Sequence, residues 1–200
     1  MSSPSPQLGR RERNKLEKLE RITAAASELF AKHGIEDVTT QQIADKADIG
    51  TGTLFLYAKS KGELLLLVQN AHYAHALEQG QAAAGKTADV LEGVLAIVAP
   101  IVECNRVQVE NGRTYLREMV FGDPAEPRHA EALEIVAQTQ EALAAVLGRH
   151  ERIGESEATT LAGVVSAAMF LAMAASINAQ RSTVEVIGAI RAQVSAILPH

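Results

Sequence analysis

The chain of 200 residues contains no tryptophan, and three Tyr with four Phe are its only other aromatic side chains. So few rings provide no strong stacking platform, and a ligand pocket built from this composition is expected to be mainly apolar. A single cysteine, Cys104, excludes an internal disulfide and fits a reducing cytoplasm. No neighbour in sequence suggests an activated thiolate at Cys104. The chain also shows no acid–base pair and no Gly-rich phosphate loop, so an enzyme is not expected and no cofactor is implied. Residues 1–9, rich in Ser and Pro, lack the apolar run of a signal peptide and read as a disordered tail. Alternating apolar and polar residues are scarce and hairpin turn pairs are missing, so no sheet is expected. No internal repeat is visible.

With 47% hydrophobic and 22% charged residues, the composition is that of a folded chain rather than a disordered one. The net charge of -5 is distributed unevenly: residues 1–61 carry +2 and residues 62–200 carry -7. Arg10, Arg11, Arg13 and Lys15, opposed only by Glu12, form a basic arm that can attract phosphates despite the acidic total.

Leu16, Leu19, Ile22, Ala25, Ala26, Leu29 and Phe30 recur at three- and four-residue steps, which places them on one face of a first helix over about 13–33. Gly34 supplies a positive-φ C-cap. Thr39 with Gln42 makes a capping box for a short second helix carrying Ile43, Ala44 and Ala47. Asp48, Ile49 and Gly50 break it, and a third short helix is expected over about 51–58. Ser60 with Glu63 opens a long fourth helix running towards Gln79.

Further breaks fall at Gly85–Thr87, Gly122–Pro127 and Gly148–Ser156, and Ser182 with Glu185 caps a ninth helix. The expected fold is all-α with about nine helices. Its expected domains are a helix-turn-helix unit over 10–61 and a larger helical unit over 62–200.

Two short helices joined by a tight turn and packed on a longer one make a helix-turn-helix, whose last helix enters the major groove. Thr51, Gly52 and Thr53 offer hydroxyls and an approach free of bulk, while Leu54 faces inward. Tyr57 adds a phenolic hydroxyl, and Lys61 stands at a helix N-terminus that already favours a phosphate.

The run from Thr39 to Tyr57, followed by Ser60-Lys61 and Leu64-Leu65, resembles the DNA-binding segment of the TetR family of bacterial regulators. The resemblance covers about a quarter of the chain. It implies a cytoplasmic homodimer on a palindromic operator in double-stranded DNA, with helices 4 to 9 binding a small-molecule effector that releases a repressor. By position it implies DNA contacts from Thr40, Gln41, Thr51, Gly52, Thr53, Leu56, Tyr57 and Lys61. Four positions depart from the family pattern: Asp48 for the turn glycine, Gly50 for a Ser cap, Phe55 for Tyr and Ala58 for Phe. Asp tolerates left-handed geometry better than most residues.

In the larger unit, Tyr73, Cys104, Tyr115, Met119, Phe121, Met169 and Met173 are candidate effector contacts, with Pro100 expected to kink the fifth helix beside them. Ala158 to Gln180 contains no charged residue and approaches the length of a membrane span. Its small residues favour instead a helix buried between others, and helices eight and nine are the expected dimer surface. His72, His75 and Glu78 share a helix face, but two imidazoles alone do not make a metal site, so no metal is expected. Control by a protein partner and an all-helical enzyme are the alternatives. The first would leave no cavity between helices 4 and 8. The second would require turnover that depends on Cys104 or His72.

Overall fold

The computed structural model describes residues 9–199; all but the last residue of the sequence's Ser/Pro tail lie outside them. Among the described residues there are nine α-helices and one short 3-10 turn, and no strand. The all-α expectation holds. The chain divides between Val68 and Gln69 into two units.

The first unit contains α1 (Arg10–His33), α2 (Thr40–Lys46), α3 (Thr51–Leu54) and the opening turns of α4 (Lys61–Ala84). The second half of α1 buries Ile22, Ala25, Ala26 and Phe30, one stripe of the expected face. Leu16, assigned to the same stripe from its spacing, is instead exposed, as are most residues of the first three turns. Gly34 ends the helix at φ 77° with its N–H donating to the Phe30 carbonyl.

The capping box that opens α2 is complete. Thr39 Oγ1 accepts from Gln42 N, and Gln42 Oε1 accepts from Thr39 N. The same helix ends with Asp48 at φ 53°. There Asp48 N donates to Asp45 O and Ile49 N to Ala44 O, the paired bonds of a Schellman motif with aspartate in the glycine position.

The third helix is shorter than its spacing suggests. After Leu54 the chain tightens, with Leu56 N donating to Thr53 O and Tyr57 N to Leu54 O, so residues 55–57 form a turn. Ala58 then packs into the core. At the start of α4, Ser60 Oγ accepts from Glu63 N as expected. Glu63, however, reaches one residue further back and accepts from Lys59 N rather than Ser60 N.

The second unit comprises the rest of α4, then α5 (Val90–Arg106), α6 (Val109–Phe121), α7 (Pro127–Leu147), α8 (Glu155–Ala174), the 3-10 turn (Ser176–Asn178) and α9 (Thr183–Ile197). Helix α7 packs most extensively on α8, and α9 closes against α5 and α8. The break between α5 and α6 has no Gly or Pro. Gln108 makes it by accepting the Asn111 N–H on its side chain. Helix α5 continues through Pro100 to Arg106.

Arg106 is buried, and its Nη2 donates to the carbonyls of Asn178 and Arg181, tying the segment before α9 to α5. The sequence makes α8 apolar enough to need cover on every side, from this chain and from a partner copy together. Within one chain its buried residues, Ala158, Ala162, Val165, Ser166, Met169, Ala172 and Met173, form one stripe, and Val164 and Leu171 face outward. Among the described residues α8 is the one helix long and apolar enough to cross a membrane.

Candidate nucleic-acid interface and ligand cavity

In the first unit, Leu54 is fully buried and anchors α3, so the residues around it point outward. Gly52 is exposed, and a Cβ built on it would meet nothing within 4 Å. Thr40, Thr51, Thr53 and Tyr57 are half-buried, and Leu56 is 84% exposed.

Thr51 Oγ1 donates to Gln41 Oε1 at 2.6 Å, and Gln41 Nε2 donates to Asp45 Oδ1 at 2.7 Å. This chain of bonds fixes the start of α3 against α2, so Gln41 and Thr51 act as one polar edge. Lys61 Nζ donates to the carbonyls of Ile35 at 2.8 Å and Glu36 at 3.2 Å, which pins the link between α1 and α2.

The exposed first turns of α1 face the turn after α3 across an open groove of about 600 Å³, lined by Arg11, Glu12, Asn14, Lys15, Lys18, Leu56 and Tyr57. Three cations and one carboxylate therefore flank the outward side chains of that turn. Of these, Lys18 was not singled out from sequence, because its place beside Tyr57 depends on how α1 packs.

In the second unit, a narrow cavity of about 40 Å³ lies between α4, α5, α6, α7 and α8. Tyr73, Tyr115, Met119, Met169 and Met173 line it, together with Ile101, Leu116, Ile135, Ser166 and Phe170. Sequence reading also placed Cys104 and Phe121 here, and the structure places both outside the lining. Phe121 is half a turn round α6 from Met119 and is 81% exposed. Cys104 stands half-buried beside the face on which Ile101 points inward. Burial pushes its thiol up to about 11.

Tyr73 and Tyr115 stack with ring centroids 4.4 Å apart. The Tyr115 hydroxyl donates to Asn70 Oδ1 at 3.0 Å, and Asn105 Nδ2 donates to the Tyr73 hydroxyl at 2.5 Å. Asn70 Nδ2 continues to the Arg128 carbonyl and to Glu131 Oε2. Burial drives both phenols well above their ordinary range, so they stay protonated. Asn70 and Asn105 escaped sequence reading because nothing local marks an asparagine as the partner of a tyrosine dozens of residues away.

His72 and His75 are exposed. Gln69 Oε1 lies 3.3 Å from His72 Nδ1, and Gln79 Nε2 lies 2.9 Å from His75 Nε2. Among the described residues no group of three metal-ligating side chains forms.

Residues 22–68 match the family described as bacterial regulatory proteins, tetR family. This segment is similar to the DNA-binding part of the tetR family. The match covers the second half of α1, then α2, the Schellman turn at Asp48, α3 and the opening of α4, which is the helix-turn-helix of the first unit. Comparison with curated proteins gives no match.

The TetR fold extends beyond the matched segment. A TetR transcriptional regulator from Rhodococcus sp. RHA1 is 16% identical, with a TM-score of 0.71 over 92% of this chain and 97% of that one. FadR of Thermus thermophilus, a TetR-family repressor in complex with lauroyl-CoA, is 20% identical, with a TM-score of 0.70 over 91% and 96%. The regulator FadR of Bacillus subtilis, in complex with stearoyl-CoA, is 16% identical, with a TM-score of 0.64 over 90% and 99%.

Proposed function

We propose that the chain acts in the cytoplasm as a homodimeric repressor that binds a pseudo-palindromic site in double-stranded DNA and leaves it when a small effector binds. The observation that carries this reading is the exposed start of α3, fixed by Thr51 and Gln41 and bordered by the basic groove of Arg11, Lys15 and Lys18. Residues 10–61 serve as the DNA-reading part and residues 62–200 as the effector-binding and dimerisation part.

In this assignment Thr51, Gly52, Thr53 and Leu56 approach base edges in the major groove, and Thr40 and Gln41 meet DNA at the start of α2. Tyr57 and Lys61 grip phosphate. An ammonium has three donors, so Lys61 keeps one for DNA while two hold Ile35 and Glu36.

Dimerisation through α8 and α9 is supported by the outward side chains Val164, Leu171, Ile177 and Val184, and by a groove of about 720 Å³ that reaches Val194 and Ile197. Such a dimer sets two α3 helices one DNA turn apart, roughly 34–36 Å. The effector site is the cavity at Tyr73 and Tyr115. The two FadR structures hold lauroyl-CoA and stearoyl-CoA, whose acyl chains support an apolar occupant for this fold, although their charged CoA part finds no counterpart in this lining. Helix α4 carries both Tyr73 and Lys61, so an occupant that shifts α4 changes the DNA-bound geometry, and coupling follows if effector affinity differs between the two forms.

Control by a protein partner, which would leave no cavity between α4 and α8, is disfavoured by the cavity there and would be revived by a protein that binds no small molecule. A genome-wide binding selection with purified protein tests DNA reading. The expected outcome is a pseudo-palindromic site, near the protein's own gene, with affinity falling steeply as salt rises. Binding without sequence preference would overturn it.

A further inference from the structure

We infer that the cavity at Tyr73 and Tyr115 takes a small uncharged molecule, apolar over most of its surface, whose single hydrogen-bonding group is held by Ser166. This rests on the proposal that the cavity is the effector site.

The lining has four polar side chains, and three are already engaged. Tyr115 donates to Asn70, Tyr73 accepts from Asn105, and Thr139 Oγ1 donates to the Ile135 carbonyl at 2.7 Å. Ser166 is the fourth. It is 9% exposed and has no hydrogen bond among the described residues. A hydroxyl on a helix can satisfy itself on the carbonyl four residues back, as Thr159 and Thr160 of the same α8 do with Glu155 and Ser156. Ser166 does not. Its oxygen is not sealed off as those of Arg106 and His129 are, so it stays open to an occupant of the cavity that supplies a partner.

Charge is excluded by the same lining. It contains no Lys, Arg or His, and its two phenols stay protonated. An anion placed there would lose its water with nothing to replace it. The remaining walls are aliphatic, aromatic or methionine side chains. Met119, Met169 and Met173 are unbranched and can repack around an occupant larger than the resting void.

Three of the chain's four methionines line the cavity, so methyl-labelled methionine NMR of the full-length protein without DNA reads its occupancy directly. Toluene, phenol and benzoate present one ring with a methyl, a hydroxyl and a carboxylate. Phenol and toluene are expected to shift the signals of Met119, Met169 and Met173, with benzoate at least about tenfold weaker than phenol.

In Ser166→Ala, phenol affinity should fall roughly five- to tenfold, the worth of one neutral hydrogen bond, while toluene affinity stays within about twofold and shows that the cavity is intact. Equal effects on both probes, benzoate binding as tightly as phenol, or no methyl shift with any probe would overturn the inference. Phenol that binds as expected but leaves DNA affinity unchanged would contradict effector release by this class of ligand while leaving the site standing.

Discussion

The two units solve opposite problems with their polar groups. Every buried polar or charged side chain among the described residues, from Asn70 and Asn105 to Arg106, His129 and Ser166, lies in the second unit. The first unit buries only apolar side chains such as Ile22, Phe30, Ile43 and Leu54 and turns its hydroxyls outward. On the outer surface both units expose large apolar side chains: Leu56 and Phe55 in the first, and Val107, Phe121, Leu171, Ile177 and Val184 in the second. An apolar core fixes the first unit as a platform whose surface can read a polar partner. The polar interior of the second unit is knitted by long-range bonds, Asn70 and Asn105 to the paired tyrosines and Arg106 to the carbonyls before α9.

The exposed apolar face is where the contrast can be broken most sharply. Leu171 is 65% exposed, so on the proposed dimer through α8 and α9 Leu171→Glu should leave each chain folded but make it monomeric in sedimentation. Losing the paired half-sites should then weaken operator binding by about 10²–10⁴. An unchanged dimer would move the interface elsewhere.

Next in size is Gly112, whose added Cβ would collide with the Asn105 carbonyl oxygen and crowd its side-chain amide. Gly112→Ala should destabilise the second unit by about 1–3 kcal/mol in denaturant melts. Because Asn105 Nδ2 donates to Tyr73, the Tyr73–Tyr115 pair should be disturbed with it.

Much of this organisation is written locally. The capping boxes at Thr39–Gln42 and Ser182–Glu185 each involve residues three apart, and the left-handed turn at Asp48 follows from the broken periodicity around it. The early end of α3 is not local, since Phe55 to Tyr57 would suit a helix and the chain instead turns to bring Ala58 into the core. The cavity was half legible. Spacing marked Tyr73, Tyr115 and the methionines as large groups on converging helices, but which side of α5 and α6 faces inward depends on packing, which removes Cys104 and Phe121 and adds Ser166.

Alkali should separate the units as well. Burial raises the pKa of Cys104, Tyr73 and Tyr115, so the folded second unit holds protons that the unfolded chain releases from roughly pH 8.5 for a thiol and 10 for a phenol. The stability these groups contribute is fully present below those values. It is lost as pH rises, through about 11 for Cys104 and higher for the phenols. Thermal melts across this range should show the loss, and Cys104→Ala should remove its lower-pH part. A profile unchanged by that substitution would exclude Cys104 as a contributor.

The smallest effect belongs to the first unit. Asp48 holds φ 53° where glycine has no steric penalty, so Asp48→Gly should raise stability by about 0.5–1 kcal/mol in the same melts. A loss would mean that its 3.7 Å pairing with Arg21 outweighs the backbone strain.

The central claim is that the outward side chains at the start of the fourth helix and around the third read DNA. Gel-shift titration of the selected operator with the Thr53→Ala, Tyr57→Ala, Lys61→Ala triple variant, its helicity checked by circular dichroism, tests it most directly. The account predicts at least about a hundredfold weaker binding with the fold intact. Binding within about threefold of the unmodified protein would contradict it.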